Sequence, residues 1–219
     1  MPSDVFDMYY FSTSLLNVLR AIEGYSLDST NSSKLQITEF INSYLLNFLS
    51  INKIGKIDND TITFQKHDRL KIALFAVQHG IPINEVSKYL NWKDFETLTS
   101  EILSLKGFSI QKNLRFKKPR MEIDVVGYNS ILAIVVDCKH WKYNNNSMLR
   151  QFALKQVERA KRLIEENRKI KRSIPLLVTL YSPSIKFIEK IPVVPISCFN
   201  GFINELEENL DDVLVLYNS

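Results

Sequence analysis

The stretch ILAIVVDCK, residues 131–139, decides the fold class of this 219-residue chain. Its six successive apolar residues have the length of a β-strand and fall far short of the roughly 18 that a membrane helix needs. The run ends in Asp137, Cys138 and Lys139. Because side chains alternate along a strand, Asp137 and Lys139 project to the same face. The sequence therefore predicts a sheet strand with a carboxylate and an ammonium at its end.

A second acid lies on the preceding strand. Asp124 stands in the run 121–128, thirteen residues before Asp137, and the turn Asn129-Ser130 separates the two runs. If the strands pair as a hairpin, Asp124 near the start of one lies close to Asp137 near the end of the other. Two carboxylates and a lysine in a half-buried site are costly when they are unpaired.

A divalent cation would relieve this cost. Carboxylate oxygens of Asp124 and Asp137, with the backbone carbonyl of Cys138, would form one side of a magnesium site. Lys139 would then orient the attacking water and offset the charge that develops on a phosphorus. The alternative is an ordinary ion pair between Asp137 and Lys139 at a strand end, and the D-x-K spacing alone does not separate the two.

Around this pair, the second part of the chain predicts an α/β domain with the order αβββαβ and a mixed sheet flanked by helices. Asp94 is expected to cap the first helix, which ends at Gly107. The predicted elements are a helix to Lys106, strands at 108–116, 121–128 and 131–137, a long basic helix at 148–169, strands at 174–181 and 193–198, and a closing helix at 199–210.

Residues 1–90 are predicted to form a helical domain before the α/β domain at 91–219. Helical spacing covers 9–23 and 38–50 with a polar loop at 28–33 between them, and 54–64 alternates like a hairpin. Helices at 67–78 and 84–90 then flank a glycine turn, so this domain resembles a winged helix-turn-helix. The run 84–90 carries one base and one acid, which leaves both a packing or dimerising role and DNA docking open.

Charge is unevenly distributed along the chain. Residues 106–172 contain 17 lysines and arginines against six acids, although the whole chain has a net charge of only +4. A basic block of this kind favours a polyanionic partner such as nucleic acid; a solvated helix face is the alternative. Two cysteines exclude a disulfide framework, and the N-terminus has no basic leader, so we expect a cytoplasmic protein without a membrane span.

Several motifs together resemble the PD-(D/E)xK restriction-endonuclease-like superfamily, in particular its Mrr-like and archaeal Holliday-junction-resolvase branches. The resemblance covers roughly residues 92–180 and is carried by 92–96, Gly107-Phe108, Arg115-Phe116, Glu122-Ile123-Asp124 and 137–141. The interval from Glu96 to Gly107 and the thirteen-residue gap between the strand acids both match the family. Ile123 replaces the family's proline, and Asp137 stands where Glu or Gln is more usual.

The resemblance implies a restriction-endonuclease-like core that hydrolyses phosphodiester bonds in DNA with Mg²⁺ or Mn²⁺. Glu96, Asp124 and Asp137 would hold the metal and Lys139 would position the water. It also implies duplex or branched DNA as substrate and a homodimer. Two alternatives remain: a non-catalytic nucleic-acid-binding protein that retains the fold, and an RNA- or junction-specific nuclease.

Basic and amide side chains supply the candidate nucleic-acid contacts. Four of them crowd the turn between the first two strands of the α/β domain, and two begin the long helix, where related nucleases place a glutamine. Contacts to phosphates would bind strongly but with little sequence information. The candidates are Arg115, Lys117, Lys118, Arg120, Gln151 and Lys155, with Gln156 as an alternative glutamine.

Overall fold

The structure is a computed structural model that describes residues 5–22, 33–36, 43–130, 132–140 and 146–218. The chain divides into two compact units, Met1–Leu90 and Asn91–Ser219, and each is described by itself. Helices and a mixed sheet occur together, so the predicted α/β class is confirmed. In the described part of the chain, no helix has both the length and the apolar character needed to cross a membrane.

The first unit contains four described helices and a small antiparallel sheet with the strand order β1-β3-β2. Its elements are α1 (Val5–Ile22), β1 (Ser33–Gln36), α2 (Ser43–Ile51), β2 (Lys56–Asp58), β3 (Thr61–Phe64), α3 (Lys66–Gln78) and α4 (Ile83–Ser87). The expected hairpin at 54–64 is present as β2 and β3. Residues 28–32 of the predicted loop and 38–42 of the predicted helix lie outside the described residues.

Strand β1 was not predicted from the sequence, and it adds a third strand to the predicted hairpin. The strand begins at Ser33, where the sequence predicted the end of a loop, and pairs Leu35 with Ile62 of β3. Four residues are too few for a period-2 pattern to stand out in the sequence, so only the cross-strand pairing defines this strand. Ile62 and Phe64 of β3 are fully buried in the core.

The hairpin and α3 are tied together by the buried carboxylate of Asp68. It accepts hydrogen bonds from the backbone N–H of Gln65 at 2.8 Å and of Gly55 at 3.1 Å. Gly55 has a φ of +68°, and a Cβ there would lie 2.7 Å from Ile62 Cγ2. Glycine is therefore required at this turn, both for its backbone angle and for space.

The second unit is built on a mixed seven-stranded sheet, with the strand order β4-β5-β6-β7-β9-β8 and β10 on β7. Strands β4, β5 and β6 are antiparallel, whereas β6, β7 and β9 are parallel. The elements are α5 (Trp92–Leu105), β4 (Ser109–Phe116), β5 (Met121–Tyr128), β6 (Leu132–Lys139), α6 (Asn146–Glu166), β7 (Arg172–Thr179), β8 (Phe187–Ile188), β9 (Ile191–Pro195), α7 (Ile196–Glu205), a 3-10 turn (Leu210–Asp212) and β10 (Leu216–Tyr217).

Helix α5 begins one residue after Asn91, which corrects the predicted cap. The side chain of Asn91 accepts a hydrogen bond from the backbone N–H of Asp94 at 2.8 Å. Asp94 therefore lies inside the first turn, where its negative charge suits the helix dipole. At the other end Gly107 has a φ of +84°, the left-handed conformation that commonly ends a helix.

Two helices pack against the sheet and set the position of the candidate site. Helix α5 comes close to β5, since a Cβ on Gly127 would lie 3.0 Å from Leu103 Cδ1. Helix α6 contributes Ala160 and Leu163 to a buried cluster with Val135 of β6. Burial of these apolar faces is the main stabilising term for the unit, at roughly 25 cal/mol for each Å² removed from water.

Candidate metal-binding active site

Asp124 lies where β5 and β6 stop pairing through their backbones. The register runs from Tyr128↔Ala133 to Val125↔Val136, so the next pair outward is Asp124 and Asp137. Instead of a ladder bond, Asp124 Oδ2 accepts a hydrogen bond from the backbone N–H of Cys138 at 2.8 Å. This hydrogen bond ties the Asp124 carboxylate to the backbone of Cys138, which lies between Asp137 and Lys139 in the sequence.

Asp137 is almost fully buried and lies between two cations. Lys139 Nζ is 2.6 Å from Asp137 Oδ2, and Arg159 NH1 is 2.9 Å from Oδ1. Among the residues that the structure describes, Oδ2 has no hydrogen-bond partner, so its contact with Lys139 is an ion pair by distance. The two side chains share one strand face, as alternation predicts, and the Lys139 ammonium also lies 4.1 Å from the ring centre of Phe152.

Arg159 was not among the predicted site residues, and the structure adds it. Its NH1 also donates to Gln156 Oε1 at 3.0 Å. The fully buried Gln156 in turn donates from Nε2 to the carbonyl of Val135 at 2.7 Å. Helical spacing places Gln156 and Arg159 on one face of α6, but the sequence does not show which face meets the strand end.

Glu96 approaches the same region from α5. Thr99, one turn later on α5, lies 3.6 Å from Cys138 through Oγ1 and Sγ. Glu96 is only 7% exposed, so its carboxylate is largely removed from water. Burial, with repulsion from Asp124 and Glu122, raises the pKa of Glu96 to about 7.

The acids of this cluster repel one another. Burial raises the pKa of Asp124 to about 6, and repulsion from Asp137 adds to the shift, while the bond from Cys138 and the charges of Lys139 and Arg159 oppose it. Burial and the charge of Asp124 also hold the pKa of the Cys138 thiol well above its ordinary range. A thiol that keeps its proton is a poor nucleophile or metal ligand.

The donor chemistry of the cluster suits a divalent cation. Glu96 and Asp124 supply hard oxygen ligands whose charges are incompletely balanced. Asp137 is different, because Lys139 and Arg159 already neutralise it. Within the described ranges, no three His, Cys, Asp or Glu side chains are arranged closely enough to hold a metal ion. A cation held by Asp137 would have to compete with Lys139 and Arg159 for the oxygens of that carboxylate.

Four of the predicted nucleic-acid contacts line one cleft of about 830 Å³ in the second unit. The cleft runs between the β4–β5 turn and α6, and Arg159 forms part of its wall. Five basic side chains line it against two acids: Arg115, Lys117, Arg120, Lys155 and Arg159, with Glu122 and Glu158. The predicted contacts Lys118 and Gln151 are exposed but do not line the cleft.

Some candidate residues have structural partners. Arg115 is ion-paired with Glu122, with Nε 3.2 Å from Oε2. The ring of His140 packs edge-on against Phe95 with their centres 5.2 Å apart, so it contributes to packing. The last residue of the family motif, Trp141, lies outside the described residues.

The raised pKa of Glu96 predicts a pH-dependent stability. Glu96 holds its proton more tightly in the folded protein than in the unfolded chain, so stability falls as pH rises above the ordinary value of 4.5 and levels off beyond about 7. In EDTA, Glu96→Gln should match the wild type at pH 4 but be roughly 3 kcal/mol more stable at pH 8, since each unit of pKa shift corresponds to about 1.4 kcal/mol. Urea unfolding across this range measures the difference.

Glu101→Gln is the matched control because Glu101 is an exposed glutamate on the same helix. Its stability difference from the wild type should change little with pH. If the stability difference between Glu96→Gln and the wild type were equally independent of pH, the raised pKa of Glu96 and its assignment to burial and repulsion would be wrong.

Comparison with known proteins gives one relative by sequence and several by structure. No family model matches the chain. An uncharacterized protein from Archaeoglobus fulgidus is 30% identical over 121 residues, which span 53% of this chain and 92% of that protein. Among solved structures, the protein of unknown function AF1548 is 15% identical, with coverage of 48% of this chain and 57% of that chain and a TM-score of 0.36.

Two further solved structures match over most of this chain. VC1899 from Vibrio cholerae is 11% identical, with coverage of 94% of this chain and 52% of that chain and a TM-score of 0.36. Can2 from Sulfobacillus thermosulfidooxidans, in complex with cyclic tetra-adenylate, is 16% identical. The match covers 92% of this chain and 54% of that chain, with a TM-score of 0.40. The chain thus spans about half the length of these solved proteins. Since it covers 92% of the archaeal relative at 30% identity, the chain belongs to the same family as that uncharacterized protein.

Proposed function

We propose that this protein is a metal-dependent nuclease that hydrolyses phosphodiester bonds in DNA. The observation that carries the proposal is the bond from the Cys138 amide to Asp124, which holds one carboxylate between Asp137 and Lys139. The buried Glu96 adds a third acid within electrostatic reach. A cluster of buried acids beside a lysine, next to a basic cleft, suits cation-assisted chemistry on a polyanion.

Each residue of the cluster receives a role in this proposal. Glu96, Asp124 and Asp137, with the carbonyl of Cys138, would hold Mg²⁺ or Mn²⁺. When bound, such a cation supplies Lewis-acid stabilisation of the phosphoryl group and lowers the pKa of water. Lys139 would orient the attacking water and balance charge at the phosphate, since its ammonium is held beside Asp137 and 13% exposed.

The proposed substrate follows from the cleft. Five basic side chains on one concave surface favour a phosphate backbone, and contacts of this kind carry little base specificity. Arg159 belongs both to this cleft and to the acid cluster. A bound backbone would therefore pass next to the proposed cutting centre.

We also propose fold assignments finer than α/β. Residues 91–219 would be a restriction-endonuclease-like domain, which the order α5-β4-β5-β6-α6-β7 supports. Residues 1–90 would be a winged-helix-like domain, supported by the sheet order β1-β3-β2 with α2 between β1 and the hairpin. Helix α4 is short, and its Lys88 neighbour is ion-paired with Glu85 at 2.6 Å, so 84–90 offers little for phosphate contact.

A second candidate function is non-catalytic nucleic-acid binding. The observation that favours it is the double ion pair of Asp137, which satisfies that carboxylate without a metal. In this case the cleft would bind phosphates while Asp137, Lys139 and Arg159 only stabilise the end of β6.

Metal removal separates the two candidates. Purified protein is incubated with supercoiled plasmid, linear duplex, a four-way junction or structured RNA, in Mg²⁺, Mn²⁺ or EDTA. We expect cleavage of DNA in either cation and none in EDTA, because the acid cluster needs a cation to act on a phosphate. Binding of DNA without cation-dependent cleavage would favour the second candidate, and cleavage confined to RNA or junctions would redefine the substrate.

A further inference from the structure

Arg159 connects the acid cluster to the basic cleft. Its NH1 lies 2.9 Å from Asp137 Oδ1 and 3.0 Å from Gln156 Oε1. The same side chain is 18% exposed and forms part of the wall of the cleft, together with Lys117, Arg120 and Lys155. One guanidinium therefore has access to a buried carboxylate and to a surface suited to phosphates.

The contact with Asp137 opposes cation binding. Asp137 is 2% exposed and lies between Lys139 and Arg159. A divalent cation at this carboxylate would compete for Oδ1 and would be repelled by two positive charges. A buried carboxylate also cannot give up a partner without a replacement, because an uncompensated buried charge is strongly destabilising. In the free protein Arg159 therefore keeps Asp137 in a satisfied state that disfavours the metal.

A phosphate in the cleft offers Arg159 another partner. A guanidinium matches phosphate oxygens with two parallel hydrogen bonds, as it matches a carboxylate. Gln156 is anchored to the Val135 carbonyl, so it can keep one contact to Arg159 while the guanidinium turns from Asp137 to the cleft. The exchange frees Oδ1 for a cation, and the cation replaces the charge that Asp137 loses.

We propose that Arg159 exchanges between Asp137 and a phosphodiester bound in the cleft, so that nucleic acid and a divalent cation bind this protein cooperatively. The inference rests on the proposed function, since it takes the acid cluster to be a cation site. Coupling between two ligands is reciprocal. The cation must therefore tighten DNA binding by the same factor by which DNA tightens cation binding.

The coupling factor is measured through DNA binding. Fluorescence anisotropy of a short labelled duplex with phosphorothioate linkages, which keep the backbone charge but resist hydrolysis, gives the Kd in Mn²⁺ and in EDTA at equal ionic strength, and gels check that the duplex stays intact. For the wild type we expect Mn²⁺ to lower the Kd by about tenfold or more, within the usual range for two coupled sites. In Arg159→Ala the ratio of the two Kd values should fall severalfold, because Asp137 is already free of the guanidinium.

A direct reading of Mn²⁺ without DNA completes the test. Electron paramagnetic resonance of unbound Mn²⁺ should show tighter binding to Arg159→Ala than to the wild type. Arg150→Ala is the matched control, because Arg150 lies on the same helix and is ion-paired with Glu189 at 2.8 Å, but does not line the cleft. This control should keep the wild-type ratio and the wild-type Mn²⁺ affinity.

The outcomes distinguish this inference from the proposed function. A Kd ratio in Arg159→Ala equal to that of the wild type, or weaker Mn²⁺ binding than the wild type, overturns the exchange. If one of these results is obtained and the wild type still cleaves DNA with Mn²⁺, the exchange of Arg159 is wrong but the proposed nuclease function stands. If the wild type binds no Mn²⁺, either with or without DNA, both proposals fail. If Arg159→Ala does not unfold cooperatively, Arg159→Lys takes its place, because a lysine ammonium cannot form the two parallel hydrogen bonds of a planar guanidinium. A ratio of Kd values in Arg159→Lys equal to that of the wild type again overturns the exchange.

Discussion

Asp124→Asn should reduce the rate of DNA cleavage in Mg²⁺ by roughly 1,000-fold, close to the loss expected when a charged group essential to the transition state is removed. Asp124 holds the central position of the proposed site, beside Asp137 and bonded to the Cys138 amide at 2.8 Å. An amide oxygen can still accept that bond, but it brings no negative charge to a cation. Single-turnover cleavage of supercoiled plasmid at saturating protein measures the rate.

The fold should survive this substitution. Because burial and the charge of Asp137 raise the pKa of Asp124 to about 6, the metal-free wild type carries an unfavourable charge at pH 8 that the asparagine lacks. The midpoint of thermal unfolding in EDTA should therefore be at or above that of the wild type. A midpoint well below that of the wild type would mean that Asp124→Asn loses cleavage because it unfolds, not because a metal ligand is removed.

Glu122→Gln is the matched comparison on the same strand. Glu122 stands two residues before Asp124, so alternation turns it to the same face, but it is 43% exposed and paired with Arg115. A surface pair of this kind is worth up to about 1 kcal/mol, so the rate should change by no more than about fivefold. If Glu122→Gln lowered the cleavage rate as much as Asp124→Asn, Asp124 would have no specific role beyond its contribution to the negative charge of this surface.

Lys139→Met should lower the cleavage rate at saturating DNA by roughly 100-fold, the lower end of the effect of one electrostatic stabiliser. The methionine keeps an apolar stem against Phe152, which the Lys139 ammonium contacts at 4.1 Å from the ring centre. Asp137 keeps its 2.9 Å contact with Arg159, so one charge partner remains. Single-turnover rates and thermal unfolding together separate loss of chemistry from loss of structure.

Lys155→Met supplies the control for charge and for the aromatic contact. The Lys155 ammonium lies 5.8 Å from the centre of the same Phe152 ring, but its side chain is exposed and lines the cleft. Its loss should weaken DNA binding and reduce the salt dependence by about one phosphate contact. The rate at saturation should stay near that of the wild type, and a rate loss as large as that of Lys139→Met would contradict the role given to Lys139.

Sequence reasoning was most accurate where the pattern is local. The apolar run before Asp137 predicts a strand, and the period of two places Asp137 and Lys139 on one face, where the structure has them 2.6 Å apart. The turn at Asn129-Ser130 predicts the hairpin whose register brings Asp124 next to Asp137. Short elements such as β1 and β8 were missed, because two to four residues carry no usable periodicity.

What the sequence by itself determined is the order of the longer strands and helices and the clustering of two acids and a lysine at the end of one hairpin. Only the tertiary structure decided that Arg159, 22 residues after Asp137, neutralises that acid, that Glu96 is buried near it, and that Lys155 shares a cleft with Lys117 and Arg120. The physical reason is that strand alternation and hairpin pairing act over a few residues. The rotation of α5 and α6 about their axes is set instead by long-range packing of apolar faces on the sheet.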